Sequence, residues 1–329
     1  MKGRQRAQWL IWLGITVALW GCSPRAVNPP EGHPPAETMV VETEEIQPTS
    51  PPVSPTPSPT LTPTGTPTSL PYPTPGQHGE HFLFTRPIDT WVDFSYRYGS
   101  NQKGHRATHH GVELLAEFGT PVQAAADGEV VAAGEDLEEV YGPYPYFYGQ
   151  LVILKHTDLL PDTPLYTLYG HLSKVLVEPG QQVSRGDEIG EVGFSGAAVG
   201  SHLHFEVRVG ENDYDHTRNP ELWMVPFQEE GQYYGALAGQ LIGTQGYPIP
   251  NVGVEIQRLD EEGEIEHELY VTTYADTSVN GDDRWGENFG VGDLVPGTYR
   301  VQFVIDGLKK YTVEVRPGQV SLIEFSLEE

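Results

Sequence analysis

Three short segments of this 329-residue sequence hold histidines whose spacing could do chemistry. In Ser201-His202-Leu203-His204-Phe205-Glu206-Val207-Arg208, the period-two alternation of a strand puts His202, His204, Glu206 and Arg208 on one face. Leu203, Phe205, Val207 and Val209 take the other face, so one side is core and the other polar. Two imidazoles two residues apart can stand on either side of a reacting centre, one ligating a metal and one giving a proton or hydrogen bond. In His109-His110-Gly111-Val112-Glu113, a histidine and a carboxylate four residues apart flank a glycine that lets the backbone turn, and the pair can converge on one ion. The third segment, Tyr169-Gly170-His171-Leu172, ends an alternating run in which Thr167, Tyr169 and His171 share a face. The single cysteine, Cys22, rules out an intrachain disulfide and a Cys-ligated zinc, so a metal here needs imidazole and carboxylate ligands. Taken singly, each segment is compatible with a surface or hydrogen-bonded histidine.

The elements that would position these residues are strands. Alternating runs at 128–133, 150–156, 165–172 and 202–209, punctuated by Gly, Asp-Gly and Pro-Gly, predict a mostly β region with long irregular loops and no long helical periodicity. The longest loop, Tyr141-Gly142-Pro143-Tyr144-Pro145-Tyr146-Phe147-Tyr148, suits a packed cover and a substrate wall equally. His110 points away from His109 if its segment is extended, His105 belongs to a polar loop that could line the cleft, and His156 reads as a packed, hydrogen-bonded residue at the edge of the core.

Together, and in this order, the three histidine segments resemble the M23 family of zinc metallopeptidases, the lysostaphin-like or LytM-like peptidoglycan endopeptidases. The resemblance extends to Gly119-Thr120-Pro121-Val122-Gln123-Ala124-Ala125, Asp127-Gly128, Gly186-Asp187-Glu188-Ile189-Gly190 and Gly193-Phe194-Ser195-Gly196, and covers about residues 94 to 225. It implies an all-β architecture with a lysostaphin-like, β-rich metallopeptidase domain. It also implies that His109 and His204 ligate Zn2+, joined by Glu113 at a position where the family usually has an aspartate. Three protein ligands leave a fourth position for a water whose pKa the zinc lowers toward ~7. His171 and His202, the family's non-ligand histidines, would orient or deprotonate that water and stabilise the oxyanion and the leaving amine. The extra methylene of Glu113 displaces its carboxylate by ~1.5 Å from where an aspartate would hold it, unless the loop adjusts.

The rest of the chain is read from composition. Lys2, Arg4 and Arg6 precede an apolar run from Trp9 to Trp20 that suits a secretory segment, residues 1–21. The run closes on Leu19-Trp20-Gly21-Cys22, which resembles a bacterial lipobox, apart from the bulk of Trp20, and implies a lipid on Cys22. Residues 22–78 form a disordered Pro/Thr-rich tether: they hold more than half of the 29 prolines and almost no large apolar residue, and so cannot bury a core. In polyproline II such a tether extends ~3.1 Å per residue. A peptidase domain is expected at 79–228 and a second domain at 231–329. In the latter, apolar alternation at 236–242, 252–258, 268–274, 299–305, 311–315 and 320–325 resembles a carboxypeptidase regulatory-like β-sandwich. No catalytic set appears in that domain, which would bind substrate or wall, or serve as a stabilising or spacing module. Asp276, Asp282 and Asp283 lack the order of a calcium loop and read as a solvated acidic turn.

Nineteen Lys and Arg against 46 Asp and Glu give a formal charge of -27, which excludes nucleic acid and other partners held by a broad basic surface. The combined expectation is an exported bacterial lipoprotein at the cell surface or membrane, a zinc metalloendopeptidase whose partners are peptidoglycan peptides and, through a lipid anchor, the membrane. The alternative is a catalytically inactive, zinc-free member of the same fold that binds wall or activates another hydrolase. Intact His109, His171, His202 and His204 discriminate against it. Neither β region offers a readable self-complementary surface, which leaves the oligomeric state open.

Overall fold

Residues 81–327 are described by the computed structural model, so Cys22, the secretory segment and the whole tether lie outside the described residues. The described residues fall in one compact unit built of strands. No α-helix occurs among them, and the only helical turns described are two short 3-10 segments, Tyr214–His216 and Pro220–Leu222.

Nine strands make one sheet: β1 (Val112–Leu115), β2 (Pro121–Gln123), β3 (Gly128–Glu135), β4 (Gln150–His156), β5 (Leu165–Val175), β6 (Gln182–Val183), β7 (Glu188–Val192), β8 (His202–Val209) and β9 (Thr217–Arg218). The main path runs β1-β8-β5-β4-β3-β6; β7 joins β5 to β2, and β9 flanks β8. On one face Leu203, Phe205 and Val207 of β8 pack with Tyr169 of β5, Val152 and Leu154 of β4, and Val112 and Leu114 of β1. On the other, Tyr148 seals Leu151, Ile153 and Leu168 into a second cluster. Both faces of the sheet's centre are therefore covered, and every residue of β8 is buried, its polar face included.

Strict alternation would place His171 beside Tyr169 on the core face, and there the structure departs from it. Tyr169 pairs with Phe205 and Gly170 with His204, so the next side chain should return to the core. His171 instead adopts a φ of 63°, and the β5–β7 pairing shifts register between Leu172 and Lys174. This irregularity turns the His171 ring toward His202 and His204, with ring centroids 5.0 and 5.6 Å away. A bulge of this kind redirects one side chain at a small cost in backbone strain.

The remaining strands are β10 (Gln228–Glu229), β11 (Gln232–Tyr233), β12 (Gly235–Ile242), β13 (Gly253–Leu259), β14 (Ile265–Thr272), β15 (Phe289–Leu294), β16 (Gly297–Val304), β17 (Leu308–Val315) and β18 (Val320–Ser326). Beyond the β10–β11 pair they form a three-stranded sheet, β15-β12-β18, and a four-stranded sheet, β14-β13-β16-β17. Leu237 and Leu241 of the first sheet share a core with Val254, Ile256, Val301 and Phe303 of the second. The acidic turn is not fully solvated: Asp282 is buried and its carboxylate lies 2.9 Å from His81 Nε2.

His156 is buried, as its apolar neighbours in sequence suggest. Its Nδ1–H donates to Asp127 O at 2.7 Å, its Nε2 lies 2.9 Å from Thr167 Oγ1, and burial pushes its pKa down to about 4. An unfolded chain takes up this proton near pH 6.5, whereas the folded protein resists until about pH 4. Neutral His156 therefore contributes its full stability above about pH 6.5, and that contribution is lost as pH falls from there through the folded value. The expected loss is on the order of 3 kcal/mol at most. Urea unfolding at pH 7 and pH 5 should show a smaller pH dependence for His156→Gln than for the unsubstituted protein; equal dependence would mean that this histidine does not set the acid limb.

Candidate metal centre

Two carriers bring the donors together. The antiparallel register of β1 and β8 places Glu113 opposite His204, so these side chains meet because of strand pairing. His109 precedes β1, held by hydrogen bonds from His109 N–H to Ser100 O (3.0 Å) and from Gly99 N–H to His109 O (2.8 Å). Its ring stacks on Tyr96, centroids 4.1 Å apart and planes 5° from parallel. Gly111 leaves the room that the His204 ring occupies: a Cβ there would stand 2.8 Å from that ring and 2.6 Å from Phe205 O.

The three donor atoms form a nearly equilateral triangle. His109 Nε2 lies 3.0 Å from Glu113 Oε1 and 3.3 Å from His204 Nδ1, and His204 Nδ1 lies 3.3 Å from Glu113 Oε1. Tetrahedral zinc with bonds of ~2.0–2.1 Å separates its ligand atoms by ~3.3–3.4 Å, so the spacing fits that ion.

Hydrogen bonds behind the rings fix which nitrogen faces the centre. His109 Nδ1–H donates to Tyr96 O (2.7 Å), His204 Nε2–H to Glu206 Oε1 (3.0 Å), His171 Nδ1–H to Ser195 O (2.8 Å) and His202 Nδ1–H to Gly200 O (3.1 Å). Carbonyl and carboxylate oxygens only accept, so in each neutral ring the opposite nitrogen presents a lone pair. Lone pairs of His109 and His204 beside a carboxylate repel one another unless a proton or cation stands among them. Without the ion a proton takes that place: burial alone would lower the His204 pKa, but the carboxylates of Glu113 and Glu206 lift it to about 9. Burial likewise opposes ionisation of Glu113, yet the surrounding histidines hold its pKa well below the usual carboxylate range. The donor set, its spacing and its excess negative charge all fit a divalent cation that accepts nitrogen and oxygen.

Glu206 and Arg208 continue the polar face of β8 inward. Glu206 Oε1 accepts from His204 and from the Tyr148 hydroxyl, while Oε2 accepts from Arg208 Nε at 2.8 Å. Both side chains are fully buried. Burial would raise the Glu206 pKa, but Arg208 and His204 hold it at about 2. A carboxylate behind a ligand histidine fixes its tautomer and raises its basicity.

His171 and His202 are not equivalent. His202 Nε2 approaches Glu113 Oε2 to 2.9 Å, an attractive contact only when that nitrogen carries a proton in addition to Nδ1. His171 Nε2 makes no hydrogen bond among the described residues, and the ring lines a cleft of ≈ 480 Å³ together with Tyr96, Phe147 and Tyr214. Burial, reinforced by neighbouring His204, pushes the His171 pKa down to about 3. In the aromatic loop, Tyr148 is buried under the sheet, whereas Tyr144 and Phe147 face the cleft. The structure thus brings together His109, Glu113, His171, His202 and His204. It adds Tyr96, Tyr148, Glu206 and Arg208, of which the last two were marked only by their period-two continuation of the His202 face.

Residues 107–216 match the family model for Peptidase family M23. Peptidoglycan DD-endopeptidase ShyA of Vibrio cholerae is 36% identical over 126 residues, covering 36% of this chain and 26% of that protein. The lipoprotein NlpD/LppB homolog of Pseudomonas aeruginosa is 39% identical over 98 residues, covering 30% of this chain and 28% of its own. Among solved structures, the catalytic domain of lysostaphin from Staphylococcus simulans aligns at 26% identity over 43% of this chain and 86% of its own, with a TM-score of 0.30. The chain spans 26% and 28% of the lengths of the two curated relatives. Through residues 107–216, the chain is similar to Peptidase family M23.

Proposed function

We propose that this protein is a zinc-dependent endopeptidase that hydrolyses peptide bonds in peptidoglycan, exported and held at the bacterial cell surface by a lipid on Cys22. The observation that carries the proposal is the triangle of His109 Nε2, Glu113 Oε1 and His204 Nδ1, with edges of 3.0–3.3 Å, on the wall of a cleft that His171 also lines. Relatives named as a peptidoglycan DD-endopeptidase and as a lipoprotein support the substrate class and an extracytoplasmic location.

Zinc held by those three atoms would supply a Lewis acid for the scissile carbonyl and lower the pKa of a water. The chain's own residues do the rest. His171 has its Nδ1–H tied to Ser195 O, which leaves the Nε2 lone pair to accept a proton from the attacking water and return it to the leaving amine. His202, when its Nε2 also carries a proton, restrains the second oxygen of Glu113. Glu206, anchored by Arg208 and Tyr148, keeps the His204 Nδ1 lone pair turned inward.

The test is mass spectrometry of purified peptidoglycan incubated with the full chain, run with zinc, with a chelator and with His204→Ala. New peptide ends that require both zinc and His204 are expected, and their identity names the bond. Binding to the wall without new ends, by folded and zinc-loaded protein, would replace this reading with that of an inactive wall-binding or hydrolase-activating protein.

A further inference from the structure

We infer that the C-terminal two-sheet lobe is a working part of the metal centre: residues 274–280, between β14 and β15, position His109. The inference rests on the zinc reading given above and adds to it a dependence on residues outside the M23 match. Glu113 and His204 are located by the register of β1 and β8, but His109 lies before β1 and has no strand to hold it.

Backbone hydrogen bonds run from the C-terminal lobe to this ligand. Ala275 N–H donates to Gly99 O (2.8 Å), and Gly99 N–H donates to His109 O (2.8 Å). Tyr274 packs directly on the same backbone: Gly99 has a φ of 74°, and a Cβ on it would stand 2.2 Å from the Tyr274 ring. Tyr274 is itself fixed, its ring edge-on to Tyr98 at 5.1 Å and its hydroxyl donating to Glu287 Oε1 at 2.9 Å. Tyr98, Tyr274 and Val279 form a buried cluster of their own that spans both lobes.

Side chains secure the residues on either side of His109. Thr108 Oγ1 donates to Asp276 Oδ2 (2.5 Å), and His110 Nε2 lies 3.3 Å from Ser278 Oγ. His110 in turn stacks on Tyr214, centroids 3.6 Å apart, and its Nδ1–H donates to Tyr214 O at 2.8 Å. Asn280 Nδ2 donates to Asp215 O at 2.7 Å. One segment thus braces both the His109 loop and the cleft wall that carries Tyr214. Ligand position is a sensitive quantity, because partners one shell out from a metal change its affinity by about 10–100-fold.

The experiment uses the full chain with Asp276→Ala and Ser278→Ala combined. Both side chains are exposed, so their removal should leave the fold intact. The readouts are zinc affinity by chelator competition and the visible absorption of the Co2+-loaded protein, which reports ligand geometry independently of catalysis. The expected result is zinc affinity lower by about tenfold and a shifted cobalt spectrum, with the unfolding temperature of the metal-free protein unchanged. Gly99→Ala, which drives the 98–110 stretch off Tyr274, should produce a larger shift in the same direction. Unaltered zinc affinity and cobalt spectrum in the folded variants would overturn the inference and make the lobe a passive spacer. Failure of the unsubstituted protein to bind Co2+ or Zn2+ would remove the zinc reading itself, and this inference with it.

Discussion

His171→Ala slows peptide-bond cleavage by about 10²–10⁴-fold and leaves zinc affinity unchanged, whereas His202→Ala lowers both. The difference comes from what each ring touches. His171 is anchored through Nδ1 to Ser195 O and makes no contact with a ligand carboxylate; its loss removes a proton acceptor from the cleft and nothing from the donor triangle. His202 Nε2 stands 2.9 Å from Glu113 Oε2, an oxygen with no aligned hydrogen-bond donor. Removing that ring frees the carboxylate to rotate, which should cost about 10–100-fold in metal affinity. Chelator competition and single-turnover cleavage, run on both variants, separate the two effects. Loss of zinc from His171→Ala would make His171 a ligand, and full affinity in His202→Ala would make its contact with Glu113 incidental.

Strands bounded by turn residues and carrying strict alternation were legible to the residue: Gln150–His156 and His202–Val209 begin and end where the pattern does. Spacing marked His109 and Glu113 as a pair that can meet at one ion, and the M23 resemblance added His204 to them. What escaped was set by long-range pairing. A period-two count cannot register the bulge that reverses His171, because that turn arises where β5 passes from one partner to the next. Strand β15, Phe289–Leu294, was hidden by Gly290 and Gly292, which weaken any strand signal. Those glycines are there for packing: a Cβ on Gly290 would meet Asn219 Nδ2 at 2.7 Å, where Pro220–Leu222 presses on the strand. The burial of Asp282 depends on His81, about 200 residues away in sequence, and that of Glu206 and Arg208 on Tyr148 and Tyr141. No local window contains such partners.

Glu113→Asp should bind zinc about 10–100-fold more weakly, even though the M23 resemblance leads one to expect an aspartate at this position, and Glu113→Ala should lose more than that. The reason is that the backbone cannot follow a shorter side chain. Val112 and Leu114, on either side, are fully buried and pair with Phe205 and Leu203. The opposite edge of β1 is held as well, by Asp93 N–H donating to Glu113 O at 2.8 Å and by a bridge between Val92 and Leu114. Withdrawing the carboxylate by one methylene, ~1.5 Å, therefore opens the 3.0 and 3.3 Å edges that it makes with His109 and His204 well past the ~3.3–3.4 Å of a tetrahedral site. It also breaks the approach of Oε2 to His202. The alanine variant removes the charge altogether and leaves imidazole lone pairs facing one another. Zinc competition on the two variants, with peptide-bond cleavage measured alongside, distinguishes the cases. Equal affinity in Glu113→Asp would mean that β1 yields at the edge of its sheet and that register does not set the carboxylate. Retention of zinc by Glu113→Ala would remove Glu113 from the ligand set and leave the two histidines to hold the ion with a donor from outside the triangle.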